Sequence, residues 1–544
     1  MVKRRYLQVL LSGLLCAGAT SSLGEGHAGA EPILFDNLGT LHHEISTTSE
    51  RAQQYFDQGL RLVYAFNHEE AIAAFTEASR LDPDAPMPHW GVALSLGPNI
   101  NAGMDVKAEV RAVDAIHKAT ARLAQATSRE RAYIEALATR YSGKKASSRN
   151  GKDEAYAKAM RRLHAESPDD VDAAVLFAES MMVLRPWDYW RADGRPQPGT
   201  EEIVATLEAA IEREPNHPGA CHYYIHAVEA SPDPQRGLAC AQRLPSLMPG
   251  AGHLVHMPAH IFMRVGRYRE ASERNANAAT VDHEYLRHHP LEGNYASGYY
   301  AHNLHFLNAS LVMEGRSAEA AQVARDLLGK ISVDEIVKEP SLEWYAPTLL
   351  LTMARFGRWG ELIRQPPPPR ELRFTTGLWH YVRGLAFAAT TRFGSAEGEL
   401  SNLRKSLKAF TKAKTTEGKL SRTLLKVAER VLVGEMAARR GEYEAGIQAL
   451  REALKMESSL PYSEPPFWFQ PVRHNLGAVL LLAGRPGDAE VVYREDLRVN
   501  PENGWALHGL VQSLQAQRKD ATDEEARLRA AWAQADIALT GSRF

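Results

Sequence analysis

The sequence predicts an all-α protein of stacked helix–turn–helix pairs winding into a superhelical solenoid. Three observations carry that expectation. A pattern of small, aromatic, Ala and Pro positions recurs with a period of about 34 residues. No segment of any length shows the two-residue alternation of a half-buried strand. At 544 residues the chain is also too long for one compact core, which favours an extended array of small units.

The units can be followed along the chain. Tyr55, Gly59, Ala71, Phe75, Ala78 and Pro83 mark the first: small residues where two helices cross, and a proline that ends the second helix. The phase returns at Gly266, Tyr268, Ala271 and Ala278, then at Gly315 with Ala320, Gly357 with Trp359, and Gly441 with Tyr443. Gly484, Ala489, Tyr493 and Pro501 close a late unit, and Gly504 opens the next. Residues 105–170 read as helical but poorly phased. The Tyr- and His-rich stretch 281–300, the Pro-rich excursion 185–199 and the four prolines Pro366 to Pro369 read as interruptions.

Over nearly all its length beyond residue 51, the chain resembles the tetratricopeptide repeat superfamily. The stretches FNHEEAIAAF (66–75), HYYIHAVEAS (222–231), GHLVHMPAHIFMRVGRY (252–268) and YYAHNLHFL (299–307) resemble a group of large exported bacterial proteins of that type. The superfamily resemblance implies the fold. The group has no settled activity to carry over.

The expected organisation is a secretory leader over 1–30, an N-terminal arm over 31–51, a first repeat array over 52–330 and a second over 331–544. Lys3, Arg4 and Arg5, the apolar run Leu7 to Ala19 and the small residues Ala28 to Ala30 have the form of an export signal. The expected location is therefore outside the cytoplasm, in the periplasm. Beyond the leader no stretch approaches the roughly 20 apolar residues that span a bilayer. A formal net charge of −2 argues against a nucleic-acid partner. Past the leader two cysteines remain, Cys221 and Cys240; they fall in the two helices of one unit, and both a disulfide and a pair of buried thiols fit.

The superfamily resemblance implies that the second, fifth, ninth and twelfth positions of each unit face a concave groove. In the unit starting at 218 these are Gly219, His222, His226 and Glu229. In the unit starting at 252 they are His253, His256, His260 and Met263, and in the unit starting at 301 His302, His305, Ala309 and Val312. Seven of the twelve are histidine, where the chain's own frequency of 21 in 544 would give about half of one. The unit starting at 171 adds Glu179.

Neutral imidazole is the commonest transition-metal ligand. His222 with His226, and His256 with His260, offer i, i+4 pairs that can grip an ion from one helical face. The expected ligands are His222, His226, His253, His256, His260, His302 and His305. Glu179 and Glu229 are the expected catalytic carboxylates, as general base or bridging group. The ion is copper, iron or zinc, and Met263 keeps copper in view.

Three functions fit: a metal-dependent enzyme, hydrolytic or a copper or iron oxidoreductase acting on a small molecule; a periplasmic metal-handling protein; or a scaffold for protein partners. Against the scaffold, none of the twelve central groove positions is the lysine or arginine that would grip a partner's carboxylate. Structural histidines satisfied by neighbouring tyrosines are the bland alternative. His42 and His43 on the arm, and His283, His288 and His289 in the insertion, are weaker candidates. RPWDYW (185–190) reads as packing at a helix end. No phosphate loop, G-x-G-x-x-G, G-x-S-x-G or H-E-x-x-H motif is present.

Overall fold

The computed structural model describes residues 32–141, 149–288, 295–468 and 470–544. The leader expected over 1–30 lies outside them. The described chain is a succession of helices, nearly all paired with their sequence neighbours. Among the described residues the sole β pairing is an isolated bridge between Trp190 and Pro196. No helix of the described residues is long and apolar enough to cross a membrane.

Two compact units are present. One comprises residues 32–261 and 277–295, the other residues 262–276 and 296–544. In the first, the helices that matter for the site are α1 (Glu50–Tyr64), α2 (His68–Leu81), α3 (Val171–Val183), α4 (Pro218–Val228), α5 (Gly252–His256) and α6 (Pro258–Arg264), the last running into the second unit.

Local chemistry sets the ends of these helices. Ser49 accepts from the Ala52 N–H at the start of α1, and Asn67 from the Glu70 N–H at the start of α2. Asp170 caps α3 through the Ala173 N–H. At α4 the cap is an imidazole: His217 Nδ1 accepts from the Ala220 N–H at 3.1 Å, with Pro218 at the first helical position. Pro258 lacks an N–H, so the ladder breaks between α5 and α6.

Glycine at the crossings permits close approach. A Cβ on Gly59 would stand 2.6 Å from the Phe75 ring, and one on Gly219 would stand 2.4 Å from the Tyr64 ring. The second contact brings α4 against the end of α1.

Before α1 the chain runs as an extended strap along the first unit. Asn37 O accepts from Gly250 N at 2.8 Å, His43 reaches Asp172, and Ser46 donates through N and Oγ to Glu130.

In the second unit, Ala301–Glu314 pairs with Ser317–Leu328, and the pattern continues to Gly504–Ala516. Its core includes Leu311, Val312, Phe356 and Trp505. Cys221 and Cys240 are both buried thiols.

Candidate metal centre

Three imidazoles converge in the first unit. His222 and His226 lie one turn apart on α4 and His253 on α5; all three are buried, and one ring nitrogen of each lies within 4.8 Å of the others. The backbone periodicity places the first two on a common face. Interhelical packing supplies the third.

The far side of each α4 ring is tied down. His222 Nδ1 lies 2.6 Å from the Tyr64 carbonyl oxygen, so it carries the hydrogen and donates it. The Nε2 lone pair then faces His253 Nε2 at 3.1 Å. His226 Nδ1 donates to Glu229 Oε1 at 2.8 Å, and its buried Nε2 has no hydrogen-bond partner. Two nitrogens bound at 2.0–2.1 Å to a tetrahedral ion stand about 3.3 Å apart, close to the His222–His253 separation. Holding Nδ1 on a carbonyl or carboxylate is how proteins aim Nε2 at a metal.

Burial, reinforced by neighbouring imidazoles, lowers His222 and His253 well below the ordinary histidine range. Burial also lowers His226, against the pull of Glu229. The neutral ring that results is the form that binds cations.

Glu229 joins this trio to a second pair. Its other oxygen accepts from His260 Nδ1 at 2.6 Å, and His260 Nε2 lies 2.9 Å from His256 Nε2. Burial alone would raise the Glu229 carboxyl; His260 and His226 outweigh it and hold the group down to about 2. One carboxylate thus orients an imidazole in each cluster. It stands behind the rings, on their Nδ1 side.

Glu179, on α3, makes no hydrogen bond or ion pair among the described residues, and burial raises its carboxyl to about 7, against the attraction of Arg140. His302 and His305 belong to the second unit, on Ala301–Glu314, where His302 packs on Phe306 and His305 on Tyr345. Met263 also lies in that unit, with its sulfur 3.9 Å from Ser310 Oγ.

Two aromatic residues complete the trio's surroundings. Phe66 packs on His222 with ring centroids 4.6 Å apart, and stacks on His226 and His253 at 6.1 and 5.6 Å. Trp187 meets His226 edge to face at 4.9 Å, and its buried Nε1 has no hydrogen-bond partner. Both have left-handed backbones, with φ of 59° and 63°, a conformation that bulky residues adopt only under constraint. Phe66 stands at the helix–helix turn where later pairs carry Gly266, Gly315, Gly357, Gly441 and Gly484, all with positive φ. Comparing the turns would have flagged it from sequence. Trp187 had no such signal, and its segment does more than close a helix end.

The two arm histidines have other partners. His42 hydrogen-bonds Asp57, and His43 Nδ1 lies 2.6 Å from Asp172 Oδ2. Asp172 also accepts from Tyr64 Oη at 2.5 Å and from His217 Nε2 at 3.0 Å. His283 is exposed, and His289 lies outside the described residues. In the second unit His474 is held by Asp496 and Arg355.

No protein-family model matches the chain, and no curated protein does. It is similar, at low identity, to a number of solved structures. A chain of the APC/C hetero-tetramer Cut9–Hcn1 shares 13% identity, over 89% of this chain and 78% of that one, with a TM-score of 0.32. The human IFIT1 dimer with m7Gppp-AAAA shares 13% over 90% and 91%, with a TM-score of 0.33. Yeast Tom70 shares 13% over 90% and 92%, with a TM-score of 0.29. These likenesses concern the helical fold alone.

Proposed function

We propose that this is an exported repeat protein whose first unit holds a transition-metal ion, copper, iron or zinc, on His222, His226 and His253. One observation carries the reading: three buried imidazoles, one of them with a wholly unpartnered Nε2, present nitrogens within 4.8 Å of one another while their α4 members are held from behind by a carbonyl and a carboxylate. A core histidine needs only its own hydrogen bonds. Here His222 Nε2 and His253 Nε2 stand 3.1 Å apart, within hydrogen-bond distance, and the buried His226 Nε2 has no partner, a set that one cation would join.

His256 and His260 are ligands for a second ion, coupled to the first through Glu229. His302 and His305 are retained as further ligands on the sequence register. Three nitrogen ligands leave a coordination position open, as in metal centres that activate water or bind oxygen. Glu179 is retained as a catalytic carboxylate on the sequence register; its carboxyl, raised to about 7 by burial in the field of Arg140 and Asp153, is of the kind that moves protons. Metal handling without turnover draws on the same ligands. The helix-pair fold itself favours a second reading, a scaffold for a protein partner. Membership of the exported bacterial group, and a periplasmic location, rest on the sequence stretches and the leader.

The test is metal analysis of protein purified without a His tag. The expected result is at least one equivalent of copper, iron or zinc, lost in a His222→Ala, His226→Ala double variant that keeps its helical content. Less than about 0.2 equivalents, with no uptake on reconstitution, would overturn the metal reading.

A further inference from the structure

A small cavity in the first unit has His253 in its lining. Its walls include Phe35, Leu62, Ala65, Tyr285 and Tyr295, with Leu38 of the strap beside them. Its interior volume is about 20 Å³, room for a water-sized or diatomic molecule.

The wall chemistry narrows the occupant. Most of the lining is hydrocarbon or aromatic ring. The polar side chains on it are engaged: Tyr295 Oη donates to Asp282 Oδ1 at 2.7 Å, and Asn67 Nδ2 donates to Tyr285 Oη at 3.1 Å. Among the described residues, no Asp, Glu, Lys or Arg lines it. A sugar, a phosphate or a peptide would find neither space nor a grip. The walls also have little slack. A Cβ on Gly252 would fall 1.8 Å from Asp282 Oδ1, and one on Gly250 2.1 Å from Asn37 Oδ1. Mostly apolar walls whose polar side chains are already hydrogen-bonded favour a small neutral molecule over an ion.

Resting on the metal reading above, we infer that this cavity is the port by which a neutral diatomic gas, dioxygen by its chemistry, reaches the His253 side of the ion. Phe66 packs on all three rings and is not part of the cavity lining, so the cavity offers His253 an approach that does not pass the aromatic cap.

Two measurements test it. Metal-free protein under xenon pressure, read by xenon NMR, should show one saturable site, lost in Ala65→Leu and in Leu38→Phe. The full-length protein reconstituted with Cu(I) should bind carbon monoxide, and either variant should slow that association at least tenfold with metal stoichiometry unchanged. Two variants on different segments guard against one misfolding. Failure to take up Cu(I), ferrous iron and zinc alike sinks the metal reading and is seen in the stoichiometry, whatever xenon does. Normal metal uptake with no xenon site, or with carbon monoxide association unchanged in both variants, overturns the port and leaves the centre standing.

Discussion

Glu229 and His260 are joined by a 2.6 Å hydrogen bond from the imidazole Nδ1–H to the carboxylate, although they come from different helices. The same carboxylate takes the Nδ1–H of His226 on its other oxygen. In Glu229→Gln one of these donors meets an amide N–H₂ instead of an acceptor. Metal affinity, measured against a competing chelator, is expected to fall about 10–100-fold. Stability should drop by about 1–3 kcal/mol in denaturant unfolding. An unchanged affinity would remove Glu229 from the centre.

Asp172 collects three buried donors, from Tyr64, His43 and His217. Burial works against its charge, and the two histidines still hold its carboxyl well below the usual range. Asp172→Ala strands all three partners, so a loss of about 3–5 kcal/mol is expected. Tyr64 offers its carbonyl to His222, so metal affinity should weaken too, although the hydrogen bonds of Asp172 go to Tyr64, His43 and His217. Limited proteolysis should cut the strap between residues 32 and 49 faster in the variant. A strap as resistant as in the parent would show that His43 does not anchor it.

Phe66 and Thr391 share a left-handed backbone, with φ of 59° and 58°, and differ in burial. Glycine at either site relieves strain of about 1–2 kcal/mol and costs about 0.5–1 kcal/mol through the freer unfolded chain. For the exposed Thr391 the balance is a gain of roughly 0.5 kcal/mol. For Phe66 the lost ring burial, about 3–5 kcal/mol, dominates. Phe66→Gly should therefore destabilise the protein and Thr391→Gly slightly stabilise it in thermal unfolding. Equal shifts of the same sign would refute the idea that Phe66 is kept for its ring.

The Glu179 carboxyl is raised from 4.5 to about 7, burial being the main cause. Between those values the folded protein keeps a proton that the unfolded chain has released. Its contribution to stability is therefore full below about pH 4.5 and is lost as the pH rises through 7. Glu179→Gln should remove this slope and raise stability at pH 8 by up to about 3 kcal/mol. If the protein turns over a substrate, the same variant should lose activity with its metal retained. A pH–stability profile identical to the parent's would refute the assignment.

The helix pairs were legible in the sequence because their signals are local: a proline, a crossing glycine, an aromatic at fixed spacing. The i, i+4 pair His222 and His226 was legible for the same reason, since one helix fixes both directions. The position of Glu229 was not. Spacing put it on the groove face, but whether a carboxylate stands beside an ion or behind the rings depends on how α4 meets α6. The Tyr64–His222 hydrogen bond joins residues 158 positions apart, and only packing at Gly219 creates it. Phe66 was half legible. It sat inside a quoted motif, but its meaning needed the turn glycines of the later pairs beside it.

The N-terminal strap has a consequence for how the first unit comes apart. Repeat arrays usually unfold in steps, because each pair touches only its neighbours. Here one extended segment is pinned at Asp57, Glu130, Asp172 and Gly250, which lie in four separated parts of the chain. Its bonds close fully only after some two hundred further residues are in place, and losing any of those parts loosens the rest. The strap converts what would be a ladder of semi-independent rungs into one cooperative block, so the imidazole cluster opens only when the whole block does.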